Sequence, residues 1–267
     1  MAQLQATRAA GNVENQPLLQ IGARVGYAVS GVLHLLIGWI ALQVAWSASG
    51  GKSADQSGAL QALAGNTAGR LTLWVAVVGF LALGLWQLAN TLASHPSPGS
   101  SPWPARAKGL AKTVIYLALA WASFGTAKGH PTSSKAQSAD FTATLLHHQG
   151  GRAAVAGIGL AVVGAGVYHV FKGWTKRFLR DLNKNPGGLA TRAGVIGYIA
   201  KGLALGVVGA LLVTGAAQNS SSKATGLDGA LRTLREQPEG PWLLTAVAAG
   251  IAAYGVYSFA RAKHARV

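Results

Sequence analysis

The chain has 267 residues, of which 50% are hydrophobic and only 11% are charged. A soluble globular domain carries roughly 25% charged residues, so this composition is typical of a protein that lies in a lipid bilayer. The formal net charge of +16 would suggest nucleic-acid binding in a soluble protein, but here most basic residues lie between apolar runs. The absence of cysteine excludes disulfides, thiolate nucleophiles and cysteine-bound metal centres.

Six apolar segments are long enough to cross a bilayer. A spanning helix needs about 20 mostly apolar residues, and six segments meet that criterion approximately: 25–46, 70–92, 108–126, 153–173, 193–217 and 242–260. The stretches between them are rich in Ser, Gly, Pro and Lys, as loops are. No signal-peptide cleavage site follows the first apolar run, so this run is predicted to stay as an anchor. We therefore expect an all-α integral membrane protein with six transmembrane helices.

The basic residues predict how the chain is oriented. The side that holds both termini carries 14 Lys and Arg, whereas the opposite side carries 8. By the positive-inside rule we expect a multi-pass protein of the bacterial cytoplasmic (inner) membrane, with the N and C termini in the cytoplasm.

A basic cluster follows the fourth span and predicts contact with phospholipid, anionic at the cytoplasmic face. Its members are Lys172, Lys176, Arg177, Arg180 and Lys184. Topology control alone and contact with a membrane-protein partner are the alternatives, and no nucleic-acid partner is expected.

The chain repeats itself three times when it is shifted by 82 and then by 89 residues. Gly84, Gly166 and Gly255 fall in register, as do Tyr27 and Tyr198 of the outer two blocks. Each block consists of a span, a loop with a short amphipathic helix, and a second span. Ser57, Asp140 and Asp228 are the expected N-caps of these short helices.

The repeats suggest a domain organisation. In chain order we predict a cytoplasmic N-terminal segment, repeat 1, a Pro/Ser linker, repeat 2 with a basic tail, a second linker, repeat 3 and a basic C-terminal tail: 1–23, 24–93, 94–105, 106–182, 183–191, 192–262 and 263–267.

Two spans return the chain to the side on which it started, so the three two-helix repeats are parallel. This predicts pseudo-threefold symmetry about the membrane normal. Small residues at matched depths let neighbouring helices approach closely. The expected helix-packing residues are Gly79, Gly84, Ala161, Gly166, Gly250 and Gly255.

The pattern of the repeat is specific enough to suggest a family. It consists of Arg24-x-x-Tyr27-x-x-x-Gly31, an apolar helix, a Gly-Ala-Leu-x-x-Leu segment at 58–63 and a Gly-x-aromatic ending at 84–86. This unit, present three times, resembles the bacterial, mostly actinobacterial, domain of unknown function 1206. The resemblance covers nearly the whole chain and implies a fold of three tandem two-helix units in a membrane. It implies no activity.

No carboxylate lies within a predicted span, which argues against proton or sodium coupling through intramembrane Asp or Glu. Polar side chains within the spans must find partners there. The candidates that could line a cavity are His34, Tyr116, His169 and Lys201. We expect interhelical hydrogen bonds for the histidines and a Lys201 side chain that reaches the headgroups. A permeation path, a proton relay, a metal or heme ligand and a substrate-anion contact are the alternatives.

No catalytic motif is found in the sequence, and we expect no enzyme, cofactor or metal site. Two functional classes stay open. The first is a scaffold or lipid-associated accessory protein. It is favoured by the basic cytoplasmic side and by the lack of catalytic residues and of intramembrane carboxylates for ion coupling. The second is a channel, carrier or small-molecule binder with a cavity along the pseudo-threefold axis. The scaffold predicts an axis filled by apolar side chains, whereas the second class requires a wet or ligand-sized cavity.

Overall fold

The computed structural model of the chain describes residues 17–47, 52–93 and 103–266. Over these ranges it has nine α-helices: α1 (Pro17–Trp46), α2 (Gln56–Ala64), α3 (Thr67–Ala93), α4 (Trp103–Ala127), α5 (Ser134–Leu146), α6 (Gly151–Trp174), α7 (Gly188–Ala217), α8 (Gly226–Arg235) and α9 (Gly240–His264). Within the described ranges there is no strand, and one isolated antiparallel bridge joins Leu182 to Ala265. Most of the predicted N-terminal segment and of the Pro/Ser linker lies outside the described residues.

Six of the described helices are long and apolar enough to cross a membrane: α1, α3, α4, α6, α7 and α9. The prediction of an all-α protein with six spanning helices is therefore confirmed. By chain order, the short helices α2, α5 and α8 lie between the two spans of each repeat. They are on the side opposite to the one where α1 begins and α9 ends, which we call the terminal side.

The six long helices pack in the spatial order α4, α3, α1, α9, α7, α6. Three of these contacts join different repeats: α3–α4, α6–α7 and α9–α1. The other two, α1–α3 and α7–α9, are contacts between the two spans of a single repeat, repeat 1 and repeat 3 respectively. Along the described residues, α4 and α6 of the middle repeat do not pack closely on each other. A hydrogen bond from Lys108 Nζ to the Tyr168 hydroxyl (3.3 Å) links them. This arrangement leaves the pseudo-threefold axis as a prediction.

Equivalent glycines form the contacts between repeats. A Cβ on Gly166 would lie 2.6 Å from the carbonyl oxygen of Gly202, and one on Gly255 would lie 2.8 Å from that of Gly31. A Cβ on Gly84 would lie 3.0 Å from a leucine side chain of α4. Since real Cβ atoms do not approach backbone so closely, glycine is what allows these helices to touch.

The contacts that close a single repeat are also built on small residues, but only in repeats 1 and 3. Gly79 of α3 faces Gly26 of α1, and Gly250 of α9 faces an alanine of α7. The structure differs from the sequence-based expectation at Ala161, which occupies the corresponding place on α6 and is exposed. In the repeat register, Lys108 of α4 takes the place of Gly26. The middle repeat thus lacks the glycine at which the two spans approach each other in repeats 1 and 3.

The short helices begin earlier than predicted. Asp55, and not Ser57, is the N-cap of α2, and Asp140 and Asp228 lie inside α5 and α8. The buried carboxylate of Asp228 instead accepts a hydrogen bond from Ala54 N (2.8 Å), which ties repeat 3 to repeat 1. A carboxylate used across repeats is not recognisable from local helix-capping patterns.

Candidate functional site

The terminal-side half of the bundle contains a group of aromatic and basic side chains, here called the aromatic-basic cluster. Its centre is Tyr198, whose ring stacks on Phe178 (5.2 Å between centroids) and meets Tyr254 edge-on (5.2 Å). The aromatic members are Tyr27, His34, His169, Phe178, Tyr198, Tyr254 and Tyr257, and the basic members are Lys172, Lys201 and Arg261.

Two contacts of this cluster are copies of each other in the repeat. The guanidinium of Arg261 on α9 lies 4.2 Å from the ring centroid of Tyr27 on α1. The ammonium of Lys172 on α6 lies 5.3 Å from that of Tyr198 on α7. In both cases the second span of one repeat places a cation on a ring of the next, a contact worth about 0.5–2 kcal/mol. Asn90 takes the equivalent position of α3.

The two cations differ in how their charge is balanced. Lys172 forms an ion pair with Asp181 (2.5 Å). For Arg261, Nη1 makes a long hydrogen bond to the Tyr254 hydroxyl (3.5 Å), and the buried Nε has no hydrogen-bond partner among the described residues. No carboxylate in the described ranges comes within ion-pairing distance of this guanidinium, and the six spanning helices contain no Asp or Glu.

Further basic side chains face the same region. The ammonium of Lys201 lies 4.4 Å from the ring centroid of Tyr254. On α4, the ammonium of Lys108 lies 4.9 Å from the ring centroid of Tyr168 on α6. The helices α1, α4, α6, α7 and α9 thus contribute aromatic or basic groups to one strongly positive region. Such a region attracts anions.

Both predicted intramembrane histidines belong to this region. His34 Nδ1 and His169 Nδ1 each lie 2.7 Å from the carbonyl oxygen four residues earlier in their own helix. Their rings lie against neighbouring helices, His34 at 4.7 Å from Tyr254 and His169 at 5.7 Å from Tyr198. The expected interhelical hydrogen bonds are therefore replaced by intrahelical bonds and interhelical ring contacts.

The other two predicted polar residues also lie beside the cluster. Tyr116 packs with Tyr27 and Trp86, and the buried Nε1 of Trp86 has no hydrogen-bond partner within the described part of the chain. The Lys201 ammonium lies against the ring of Tyr254, and the expected reach of this side chain to the headgroups stays a prediction. Hence the four residues predicted as cavity candidates all lie in or next to the aromatic-basic cluster.

Arg261 was missed by the sequence analysis because the sixth span was predicted to end at residue 260. In the structure α9 continues to His264, so Arg261 lies on its last turn rather than beyond its end. A signal was present in the repeats, since Arg261 is in register with Lys172, just as Tyr27 is with Tyr198.

The side chains of the predicted basic cluster, at and after the end of α6, point in different directions. Lys172 is only 12% exposed at its side chain and points into the cluster, which differs from the expected headgroup contact. It lies on the last turns of α6, on the face that packs against α7. Arg177 covers the ring of Phe171 (4.6 Å). The remaining members are exposed on the terminal side: Lys176, Arg180 and Lys184.

This arrangement suits an anionic ligand better than a metal ion. In the described ranges, no three His, Asp or Glu side chains come together as a metal site requires. The cluster offers N–H and O–H donors and positive charge, which match phosphate or carboxylate oxygens.

Comparison with known proteins agrees with the repeat pattern. A family model for the Domain of Unknown Function (DUF1206) matches residues 25–93, 107–176 and 196–265. The chain belongs to the DUF1206 family. The three matches confirm the resemblance found in the sequence and the three tandem repeats. Within this comparison, the "Uncharacterized protein YxxB" of Bacillus subtilis (strain 168) is 24% identical over 257 residues, covering 92% of this chain and 90% of that protein. No solved structure matches the chain.

Proposed function

We propose that this DUF1206 protein is a ligand-binding protein of the bacterial cytoplasmic membrane. It binds an anion that carries a phosphate or carboxylate group, at Arg261 in the aromatic-basic cluster. The terminal side faces the cytoplasm in this proposal, a placement supported by its excess of Lys and Arg. The proposal is one of binding, with no catalytic step.

The observation that carries the proposal is the charge of Arg261, which has no counter-ion and an unpartnered Nε in the described structure. A charge removed from water costs several kcal/mol unless it is paired, and intramembrane cations are therefore usually found at functional sites. A bound anion beside the guanidinium supplies the opposite charge. The ring of Tyr27 offsets only part of that cost.

The opposite half of the bundle favours binding over conduction. Buried apolar side chains of α1, α3 and α9, such as Ile37, Leu73 and Leu244, form a core there. A scaffold or accessory protein is expected to have an apolar core of this kind, whereas a small-molecule binder is expected to have polar groups such as those of the terminal-side half. A lipid-associated binding protein accounts for both halves.

The test compares the wild-type protein with Arg261→Gln and with Arg192→Gln, an exposed arginine on the same side. Delipidated protein in neutral detergent is titrated with dioleoyl phosphatidylglycerol and, separately, with inorganic phosphate, and the unfolding midpoint is followed. A ligand at about 100 times its Kd stabilises by about 2.7 kcal/mol, which corresponds to roughly 5–11 °C for a protein of this size.

We expect Arg261→Gln to raise the Kd about 10- to 150-fold, because a hydrogen bond to a charged group contributes about 1.5–3 kcal/mol. Arg192→Gln should bind as the wild type does. Equal affinity of wild type and Arg261→Gln for every anion tested would exclude Arg261 as the binding group. Circular dichroism and the elution volume of each variant show whether it has folded.

A further inference from the structure

The middle repeat has a groove that its neighbours lack. In repeats 1 and 3 the two spans of the repeat pack on each other, but along the described residues α4 and α6 do not. We call the space between these two helices the α4–α6 groove. It lies in the membrane-spanning part of the chain, so it faces lipid rather than water.

Sequence differences at equivalent positions explain why this pair stays apart. Lys108 stands where repeats 1 and 3 have Gly26 and Gly197, and Ala165 stands where they have Leu83 and Tyr254. The small residues at the first place let the helices approach, and the large ones at the second fill the contact. The middle repeat reverses both, with a long side chain on α4 and a small one on α6.

Among the described residues, nothing packs against the wall of the groove on α6. Ala161 and Ala165 are exposed, and a Cβ placed on Gly157 or Gly164 would meet no described atom within 4 Å. A hydrocarbon chain can approach the backbone of such a face closely, as neighbouring helices do at small residues.

The terminal-side end of the groove is basic and joins the aromatic-basic cluster. The Lys108 ammonium lies 4.9 Å from the ring centroid of Tyr168, across the groove. The ring of His169 on α6 lies 5.7 Å from that of Tyr198, which the Lys172 ammonium approaches to 5.3 Å. The α6 wall of the groove is therefore apolar, and the end of the groove at the aromatic-basic cluster is positive, a charge distribution that complements an anionic lipid.

We infer that the ligand of the proposed site is an anionic membrane lipid, which enters sideways through the α4–α6 groove. Its headgroup lies at Arg261 and Lys108, and one hydrocarbon chain lies along α6 at Ala161. This inference rests on the proposed function and adds the class of ligand and its route. A second copy of the protein is the competing occupant of the groove.

The experiment blocks the groove without touching the basic residues. Ala161→Trp is compared with Ala210→Trp, which places the same side chain at an exposed alanine of α7 on the face shared with Leu203. Native mass spectrometry of protein extracted from vesicles of dioleoyl phosphatidylglycerol and dioleoyl phosphatidylcholine measures retained lipid and the number of protein copies. Binding of glycerol 3-phosphate, a headgroup without a chain, is measured in parallel. Ala161→Leu provides a milder block if the tryptophan variant does not fold.

We expect Ala161→Trp to lower retained phosphatidylglycerol at least about tenfold, the change that follows from a modest loss of chain packing. Ala210→Trp should retain as much as the wild type, and glycerol 3-phosphate should bind far more weakly than the lipid.

Three results would overturn the inference. They are lipid retention unaffected by either Ala161 variant, glycerol 3-phosphate binding as tightly as the lipid, and a dimer that separates in Ala161→Trp with its lipid retained. Each of them leaves the proposed anion site intact. Failure of the proposed function gives a different result, because Arg261→Gln would then bind every anion tested as tightly as the wild type does.

Discussion

Gly166→Ala tests the contact between repeats 2 and 3 most directly. The added Cβ would lie 2.6 Å from Gly202 O and 2.9 Å from Gly206 N. Both are backbone atoms of α7, which cannot rotate away as a flexible side chain can. α6 would therefore have to move away from α7 along an interface that is built on close approach at several glycines.

The structure also provides the control. Gly164 lies two residues earlier on the same helix, and a Cβ there would meet no atom of the described residues within 4 Å. Both substitutions gain about 1 kcal/mol of helix propensity, but only Gly166→Ala adds an overpacking cost of about 1–3 kcal/mol. Because the propensity gain is common to both, the two variants should differ by about 1–3 kcal/mol. This corresponds to roughly 2–12 °C in unfolding midpoint.

The assay is thermal unfolding of both variants in the same detergent and in lipid discs, followed by tryptophan fluorescence. We expect the midpoint of Gly164→Ala to equal or exceed that of the wild type and the midpoint of Gly166→Ala to fall. Equal midpoints for the two variants would refute the close approach of α6 to α7. It would also remove the basis for treating the three inter-repeat contacts as equivalent.

Three more predictions concern other contacts. Arg24→Gln should lower stability by about 1–3 kcal/mol in denaturant titration, because Arg24 donates hydrogen bonds to three carbonyl oxygens at the end of α9; an unchanged midpoint would contradict this. Asp228→Ala should cost about 1–3 kcal/mol, because it removes the hydrogen bond from Ala54 N across repeats and the ion pair with Arg232 within α8. Asp140→Ala, at an exposed position of α5, should be near neutral. Lys108→Gly should let α4 approach α6. Because the chain has no cysteine, a single cysteine introduced at Ala161 reports on this approach, and it should react more slowly with a membrane-permeant maleimide in the Lys108→Gly variant. Undiminished labelling would argue against Lys108 as the residue that keeps the two helices apart.

The difference between the repeats also bears on how the protein works. Repeats 1 and 3, whose two spans pack on each other, form a continuous part of the bundle through α1, α3, α7 and α9. The middle repeat keeps one helix on each neighbour, α4 on α3 and α6 on α7. A site between such helices is accessible from the side without breaking the contacts that hold the three repeats together.

The membrane architecture was predictable from the sequence by itself. Span number, repeat spacing and family follow from apolar run length and from residues in register along one chain, which are local properties. The errors at this level are small and have local causes. Arg261, for instance, is predicted to lie just beyond the last span because that span is ended one turn too early.

The site was decided only by the tertiary structure. That Arg261 meets Tyr27 depends on α9 packing against α1, helices from opposite ends of the chain. That Lys172 faces inward and Ala161 is exposed depends on how α6 is rotated and which neighbour it has. Hydropathy specifies that a helix crosses the bilayer. Which of its faces meets which partner is settled by side-chain packing between helices far apart in sequence, and here a lysine in place of a glycine leaves one pair open.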